Sequence, residues 1–229
     1  MPEPGFDAFA EIRFLSPGPM SKLASPFRLQ TILVSGESGL VRIELIGEDG
    51  RELYRLVERL NRNSAGLYRN WEIPFEIRAA AEAAWLQISS KDEVGRTQAL
   101  NSVRVLLLSL GTSELNPPGN VLYERVTLLT PGVEVVEADG VVDVKGRIWP
   151  MNDEPVILDL ILPDGKTAGT RVLRLNGIEP QSFESTLPYK VTAPEGSTES
   201  IVARLTVKQS DPILKIPLYI YTRTVQLRP

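Results

Sequence analysis

The chain has 229 residues, 42% of them hydrophobic and 24% charged, which is the balance of a folded protein rather than of a disordered tail. Its formal net charge of −4 offers no attraction to nucleic-acid phosphates or to an anionic membrane surface, so we expect no nucleic-acid partner. The chain contains neither cysteine nor histidine, which excludes disulfide bonds, thiolate catalysis and cysteine-ligated zinc and removes the commonest general base and metal ligand.

The sequence shows no segment that targets or inserts into a membrane. No apolar run reaches the roughly 18 residues that span a bilayer, so we predict no membrane insertion. Residues 1–10 have neither the basic start nor the apolar stretch of a signal peptide. If the natural protein is exported, we expect its targeting segment to lie outside this sequence.

An internal repeat is the most informative pattern, because a repeat decides the architecture. Residues 12–18, IRFLSPG, match residues 126–132, VTLLTPG, and both read as a short strand that ends in a Ser/Thr-Pro-Gly turn. From the proline of each turn to the next Asp-Gly pair there are 32 positions in the first half and 33 in the second. This spacing predicts two copies of one domain.

Between these landmarks apolar residues alternate with mostly polar ones, which predicts strands with one face in a core. The inward positions are Phe27, Leu29, Thr31, Leu33, Val41, Ile43 and Leu45 in the first half and Val142, Val144, Gly146, Ile148, Val156, Leu158 and Leu160 in the second. The Asp49-Gly50 and Asp164-Gly165 pairs that follow predict hairpins with type I′ turns, since these residue types tolerate positive φ best.

A further strand in each half begins with an aromatic residue. Residues 71–77, WEIPFEI, and residues 183–189, FESTLPY, both alternate. We therefore predict that Trp71 and Phe183 are equivalent core residues.

The strand count indicates the fold class. Each half reads as about seven strands in about 100 residues, the count and size of an immunoglobulin-type sandwich. We predict an all-β protein of two tandem antiparallel immunoglobulin-like β-sandwiches, with domains at residues 1–111 and 121–229. The segment 112–120, TSELNPPGN, has the composition of a linker, and we predict that its two prolines stiffen it into a short extended spacer.

Two stretches fit the strand pattern less directly. In residues 53–60 the apolar side chains have helical spacing, but the corresponding residues 171–175 are strand-like, so we predict a strand. The alanine-rich residues 79–84 replace a Pro/Gly/Ser segment, residues 193–200, of the other half. We predict at most one helical turn there, before a strand.

This order of features resembles a known family. A strand, a Ser/Thr-Pro-Gly turn, two alternating strands that end at Asp-Gly and an aromatic-led strand are similar to the immunoglobulin-like domain of bacterial spore-germination and cell-envelope proteins. The resemblance covers both halves and is clearer in residues 124–210 than in residues 10–111. It implies an extracytoplasmic accessory or adhesive module, with no catalytic residues to carry over.

Carboxylate pairs are the remaining route to hydrolysis. Asp92 and Glu93, and Asp153 and Glu154, are adjacent in predicted loops. Adjacent side chains seldom converge on one substrate, and a glycosidase pair flanks the scissile bond in a deep cleft, which small sandwiches seldom provide. We therefore interpret these acids as solvated loop charges and predict no catalytic residue.

Calcium is a second option for loop acids, because Ca²⁺ takes oxygen ligands. The sequence has no Asp-x-Asp-x-Asp run, and its loop acids are isolated from one another: Asp49, Asp92, Asp153 and Asp211. Aspartates at turns usually accept hydrogen bonds from their own backbone. We predict turn chemistry, with no metal and no cofactor.

The one basic concentration lies in residues 51–69. Its members are Arg51, Arg55, Arg59, Arg62 and Arg69, interleaved with Glu52 and Glu58. Mixed signs of this kind describe a solvated face with weak ion pairs, and the alternative is a site for an anion or acidic polymer.

The three tryptophans are candidates for residues that stack on a ligand. Trp71 and Trp85 lie in alternating apolar strands and are predicted to be core residues. Trp149 ends a strand beside a polar loop, so we predict a ligand site of Trp149, Asn152 and Asp153 in which the ring stacks on a sugar or peptide. The alternative is that Trp149 plugs the end of its own sandwich or an interface with the first domain.

These observations favour an interaction module of the bacterial cell envelope that binds a protein or glycan partner through loops or sheet edges. The first alternative is a structural spacer, and the second is a glycan-active enzyme that uses carboxylates alone. The identity of the partner does not follow from the sequence.

If the Trp149 loop binds a ligand, binding should quench or shift the fluorescence of Trp149. The measurement needs a variant in which Trp71 and Trp85 are replaced by phenylalanine, so that Trp149 is the one indole left. A Trp149→Ala variant that binds a verified ligand as tightly as the parent would remove this prediction.

Overall fold

The computed structural model describes residues 6, 8–132, 137–191 and 200–228. It divides into two compact units, Met1–Glu124 and Arg125–Pro229. The strands of the first unit are β1 (Ile12–Ser16), β2 (Lys22–Ala24), β3 (Phe27–Leu33), β4 (Leu40–Gly47), β5 (Glu52–Arg59), β6 (Leu67–Ile73), β7 (Ala81–Lys91) and β8 (Thr97–Leu108). Those of the second unit are β9 (Val126–Thr130), β10 (Glu137–Asp139), β11 (Val141–Ile148), β12 (Val156–Ile161), β13 (Thr167–Leu173), β14 (Gln181–Pro188), β15 (Ile201–Ser210) and β16 (Pro217–Arg228).

The first unit is a sandwich of two antiparallel sheets. One sheet has the order β1-β3-β6, and the other has the order β8-β7-β4-β5, with β2 added in parallel to β8. A 3-10 helix, Gly119–Leu122, precedes the end of the unit. Its core contains inward residues of both sheets, among them Leu29 and Ile43, which are fully buried.

The second unit has the same organisation. One sheet has the order β9-β11-β14, and the other has the order β13-β12-β15-β16, with β10 added in parallel to β16. Val144 and Leu158 are fully buried between the sheets. Seven long strands in a three-plus-four arrangement are typical of an immunoglobulin-like sandwich, so the predicted fold class is confirmed.

Alternation determines which side chains enter each core. In β3 the residues at odd numbers from Phe27 to Leu33 are buried, and in β11 the residues at even numbers from Val142 to Ile148 are buried. Residues 53–60 lie in β5 and its end, so the strand prediction is confirmed there. Burial of one face per strand is the main stabilising term of such a sandwich.

The Asp-Gly pairs form hairpins, but the predicted type I′ turns are wrong. Gly50 and Gly165 have positive φ, at 82° and 87°, whereas neither Asp49 nor Asp164 does. One residue with positive φ after a turn is the pattern of a three-residue loop with a glycine bulge. Each aspartate carboxylate instead accepts a hydrogen bond from the backbone N–H two residues on, at 2.9 Å in both hairpins.

Two further expectations concern β7 and its start. Residues 78–80 are a bend and β7 begins at Ala81, so residues 79–84, for which at most one helical turn is predicted, have none and lead into a strand. Trp85 is only half-buried on the face of β7 opposite to the buried Leu86, and the guanidinium of Arg104 lies 5.3 Å from its ring, so its assignment to the core is wrong. Residues 192–199, which include most of the segment compared with residues 79–84, lie outside the described residues.

Trp71 and Phe183 are not equivalent, although both face inward. Trp71 lies opposite Leu29 in β3, whereas Phe183 lies opposite Gly146 in β11. Phe183 is buried, and Trp71 is half-buried against the core of the first unit. The two aromatic residues therefore occupy positions that differ by two residues along their strands.

The segment 112–120 makes hydrogen bonds within the first unit. Glu114 exchanges backbone hydrogen bonds with Lys22, at 2.8 and 2.9 Å. The backbone N–H of Asn116 donates to the hydroxyl of the buried Ser21 at 2.9 Å, and its side chain donates to the carbonyl of Pro19. This part of the predicted linker is therefore hydrogen-bonded to residues 19–22 of the first unit and is not a free spacer.

Within the described ranges, no helix has both the length and the apolar character needed to cross a membrane.

The face assignment of β7 gives a direct test. Leu86→Ala should lower the free energy of unfolding of the first unit by about 2–5 kcal/mol, because it leaves a cavity in the core. Trp85→Ala should cost about 1 kcal/mol or less, as is usual for a side chain outside the core. Urea unfolding followed by tryptophan fluorescence, with Trp149 replaced by phenylalanine so that the signal comes from the first unit, measures both, and a larger loss for Trp85→Ala would contradict the assignment.

Candidate functional site

A groove runs along one edge of the second unit, between β13 of one sheet and β14 of the other. Its volume is about 340 Å³, within the lower part of the range for ligand sites. The residues that line it are 171–176 and 181–185. Both strands are edge strands of their sheets, so the groove opens where the two layers of the sandwich end.

The two strands touch at one end and separate at the other. At the closed end a Cβ on Gly169 would lie 2.2 Å from the carbonyl oxygen of Pro188, so only glycine fits there. The backbone N–H of Lys190 also donates to the carbonyl of Ala168, at 3.0 Å. The groove lies towards Leu173 and Gln181, where the loop between the two strands contributes to its lining.

The interior of the groove combines apolar side chains with one arginine. By alternation Arg171 and Leu173 share the inward face of β13 with Gly169, and Phe183 and Ser185 lie on the inward face of β14. Phe183 is buried, and Leu173 is half-buried against the core. Phe183 and Leu173 therefore lie at the base of the groove, whereas its accessible lining is mostly polar and includes the exposed Arg171.

The rim carries positive charge without a compensating carboxylate. Within the described residues neither Arg171 nor Arg174 has an ion pair, and both side chains are exposed. The one carboxylate in the lining, Glu184, lies 2.6 Å from the ammonium of Lys145. This hydrogen bond raises the pKa of Lys145, so Glu184 is engaged with a cation of its own strand pair.

The loop between β13 and β14 is held by one side chain. The amide of Gln181 accepts a hydrogen bond from the backbone N–H of Asn176 at 3.1 Å. The same amide donates to the carbonyls of Asn176, Gly177 and Glu179 at 3.2 to 3.3 Å. The mouth of the groove is thus shaped by the fold before any ligand arrives.

In the first unit a tryptophan fills the corresponding place. Trp71 packs on the core, and its Nε1–H donates to the carboxylate of Glu58 at 2.7 Å. The guanidinium of Arg69 lies 3.7 Å from the same carboxylate. The side chains of β5 and β6 therefore meet across the edge of the first sandwich.

The strand registers identify the equivalent residues. In β3, Thr31 lies beside the bulge of β1, and Leu29, two residues before it, pairs with Trp71. In β11 the residue beside the bulge is Gly146, and Val144, two residues before it, pairs with Ser185. Ser185 thus stands in the second unit where Trp71 stands in the first.

The strands across the edge, β5 in the first unit and β13 in the second, can be aligned in the same way. Val41 pairs with Glu58 in the first unit, and Val156 pairs with Leu173 in the second, in both cases five residues before the hairpin bulge. The hydrogen-bonded pair of tryptophan and glutamate is replaced by serine and leucine. The second unit therefore lacks the side chains that close the edge of the first.

The sequence-predicted residues Trp149, Asn152 and Asp153 lie in the loop between β11 and β12. Trp149 is half-buried, and its carbonyl accepts a hydrogen bond from Nη1 of Arg125 at 3.3 Å. The Arg125 guanidinium lies 5.8 Å from the Trp149 ring, and burial lowers the pKa of Arg125. Asp153 is exposed.

Asn152 holds this loop in place. Its Nδ2 donates to the carbonyl of Ser210 at 2.9 Å, and its Oδ1 accepts from the N–H of Glu154 at 3.0 Å. The buried Gln209 adds hydrogen bonds from Nε2 to the carbonyls of Asn152 and Glu154, both at 2.9 Å. Ligand binding by Trp149, Asn152 and Asp153 stays a prediction.

Two buried loop aspartates have turn roles. Oδ1 of Asp92 accepts hydrogen bonds from the backbone N–H groups of Val94 and Arg96, at 3.1 and 2.7 Å. Oδ1 of Asp211 accepts from those of Ile213 and Leu214, at 2.8 and 2.7 Å. In the part of the chain that the structure describes, no three acidic side chains come together as a metal-binding group.

The basic concentration of residues 51–69 forms ion pairs, as interpreted from the mixed signs. Arg51 lies 3.1 Å from the buried Glu82, Arg55 pairs with Glu52, and Arg62 lies 3.6 Å from Glu93. The charges of this face are thus largely satisfied within the first unit.

The sequence reading did not identify the groove. The feature of the sequence that indicates the groove is Ser185, at the position that Trp71 occupies in the first unit. Pairing Trp71 with Phe183 aligned β6 and β14 two residues out of register and concealed it. The bulges that set the register are long-range features, and they are not visible as a pattern within one strand.

No protein-family model matches the chain, and no curated protein matches it. Solved structures similar to it include the calcium-binding domain CBD12 of CALX1.1, with 11% identity, a TM-score of 0.27 and coverage of 96% of this chain and 100% of that one. Dimeric latent PorU from Porphyromonas gingivalis has 11% identity, a TM-score of 0.28 and coverage of 95% and 24%. A mutant of the CFA/I enterotoxigenic E. coli adhesin CfaE has 10% identity, a TM-score of 0.28 and coverage of 98% and 84%. Similarities at this level say nothing about what this chain binds.

Exchanging the two equivalent residues should lower the stability of the two units by unequal amounts. Trp71→Ser should lower the stability of the first unit by about 3 kcal/mol, because it removes a packed indole and leaves Glu58 without its donor. Ser185→Trp should cost the second unit less than about 1 kcal/mol, since the indole enters space that is already open. Urea unfolding of both variants measures this, and equal losses would show that the groove is not open.

Proposed function

We propose that this chain is a non-catalytic interaction module whose binding site is the groove between β13 and β14. The observation that carries the proposal is the position of Ser185 where the first unit has Trp71, because it leaves a groove with Phe183 and Leu173 at its base and Arg171 exposed inside it. A preformed concave site is what a binding module needs. The partner class is a protein or a glycan.

The chemistry of the groove argues against hydrolysis. Two carboxylates would have to face each other across the bond, and the groove lining contains one, Glu184, which is engaged with Lys145. The chain has no histidine or cysteine to act as a general base or nucleophile. The glycan-active enzyme is therefore the least favoured function.

The proposal includes the origin of the two units as tandem copies of one domain. The bulge after Phe14 and the bulge after Leu128 fall at the same place in the register of the first two long strands. Each Asp-Gly hairpin is closed by the same backbone hydrogen bond, at 2.9 and 2.8 Å. The domain limits 1–111 and 121–229, with a linker at 112–120, remain part of this proposal.

We place the module at the bacterial cell envelope, outside the cytoplasm, on the resemblance of both halves to the immunoglobulin-like domain of spore-germination and envelope proteins. A purely structural spacer is the alternative function. It would need no binding groove, so the spacer and the module differ in one measurable property.

The test is a binding screen with a matched pair of variants. Soluble glycans, cell-wall fractions and a peptide library are screened against the parent, against Ser185→Trp and against Thr186→Trp, which places an indole on the outward face of the same strand. A ligand of the groove should lose at least about tenfold in affinity with Ser185→Trp, equal to about 1.4 kcal/mol, and keep its affinity with Thr186→Trp.

The other outcomes contradict the proposal in separate ways. Binding that neither variant changes would place the site elsewhere in the chain. No binding to any probe would favour the spacer, and release of shortened glycan would identify an enzyme.

A further inference from the structure

Resting on the proposed binding groove, we propose that its ligand is an extended acidic peptide segment of a partner protein, which pairs with β13 as an added strand. The partner would place apolar side chains at the base of the groove and a carboxylate at Arg171. This assigns both the class of partner and the manner of its recognition.

β13 offers a free strand edge. It is the last strand of the order β13-β12-β15-β16. Strands in an antiparallel pair exchange backbone hydrogen bonds at alternate residues, so every second residue of β13 directs its N–H and C=O away from β12. Among the described residues, the one further backbone hydrogen bond to this strand is from Lys190 to Ala168, at its closed end.

The residues of β13 do little to protect that edge. Natural edge strands are commonly blunted by charges, proline or inward-pointing charged groups that keep other chains away. The equivalent strand β5 carries four charged residues, and its Arg55 pairs with both Glu52 and Glu44. β13 has one charged residue, and its Val172 is 51% exposed.

Charge selects an acidic partner. Arg171 and Arg174 have no ion pair within the described part of the chain, and Glu184 is held by Lys145. A guanidinium binds a carboxylate through two parallel hydrogen bonds, so an acidic side chain fits Arg171 in geometry as well as in sign. A basic or neutral strand would leave both arginines uncompensated.

The alternating faces of a strand fit the groove, with one face towards its base and one towards solvent. One set of partner side chains would face Leu173 and the buried Phe183, in the space that Trp71 occupies in the first unit. The next residues along the partner would face outward. An acidic sugar could satisfy Arg171, but it has no backbone that continues the hydrogen bonds of β13, and for this reason we favour a peptide.

The probe is an amidated octapeptide, Val-Thr-Glu-Thr-Val-Thr-Glu-Thr, that carries a fluorescein label at its N-terminus, so that its valines and glutamates share the face that meets Leu173, Phe183 and Arg171. Fluorescence polarisation with the full chain should give a Kd below about 1 mM. A peptide in which lysine replaces glutamate, and one whose outward-facing threonines are N-methylated, should bind at least about tenfold more weakly. N-methylation removes backbone donors and leaves the protein unchanged, so this arm does not depend on the folding of a variant.

Two matched variants locate the pairing. Val172→Pro removes a backbone donor from β13, and Val57→Pro does the same at the equivalent position of β5, where Val57 is 54% exposed. Val172→Pro should weaken binding at least about tenfold, whereas Val57→Pro should change it less than about twofold. Circular dichroism checks that both variants fold.

Equal effects of the two proline variants, equal binding of the lysine peptide, or full binding of the N-methylated peptide would each overturn the proposal. Binding of a uronic-acid oligosaccharide that is lost in Ser185→Trp but unchanged in Val172→Pro would also overturn it. That result would leave the proposed binding groove intact. Loss of every probe from the groove would remove both.

Discussion

Where the two sheets of a β-sandwich end, side chains can fill the gap between them. In the first unit one side-chain pair fills the gap between β5 and β6. In the first unit the indole of Trp71 packs on the core and donates to Glu58, joining β6 to β5. In the second unit serine and leucine occupy these positions, and the edge stays open. The proposed activity depends on this exchange.

An open edge exposes two kinds of recognition surface together. The inward face of the edge strand becomes a wall of the groove, and its outer backbone groups become available for pairing. Arg171 adds a charge that the second unit does not compensate within its described residues. Apolar contact, backbone pairing and charge thus point to one occupant, whereas any one of them alone would suit many ligands.

Much of the fold follows from the sequence because its causes are local. Alternation identified β3, β4, β11 and β12, and the Asp-Gly pairs located both hairpins. Trp85 was misplaced because Ala84, Trp85 and Leu86 are all apolar, so alternation could not indicate which face is buried. The turn type was missed because the aspartate side chain, not its backbone dihedral angle, stabilises the hairpin.

The groove could not be derived in the same way. A bulge adds one residue to one strand of a pair and shifts every later contact, so the partner of Trp71 depends on features distant in sequence. Pairing Trp71 with Phe183 by sequence order concealed the exchange with Ser185. Likewise, the loop of Trp149 has the composition of a binding loop, while Asn152 and Gln209 use its polar groups to hold its shape.

Residue-resolved amide NMR of the labelled chain, titrated with the octapeptide probe, tests the central claim most directly. The account predicts that chemical shifts change along residues 169–175 and 181–185 and stay constant along β5 and β6. Changes centred on β5 and β6, or on the loop of residues 149–155, would contradict it, as would a spectrum that the peptide leaves unaltered.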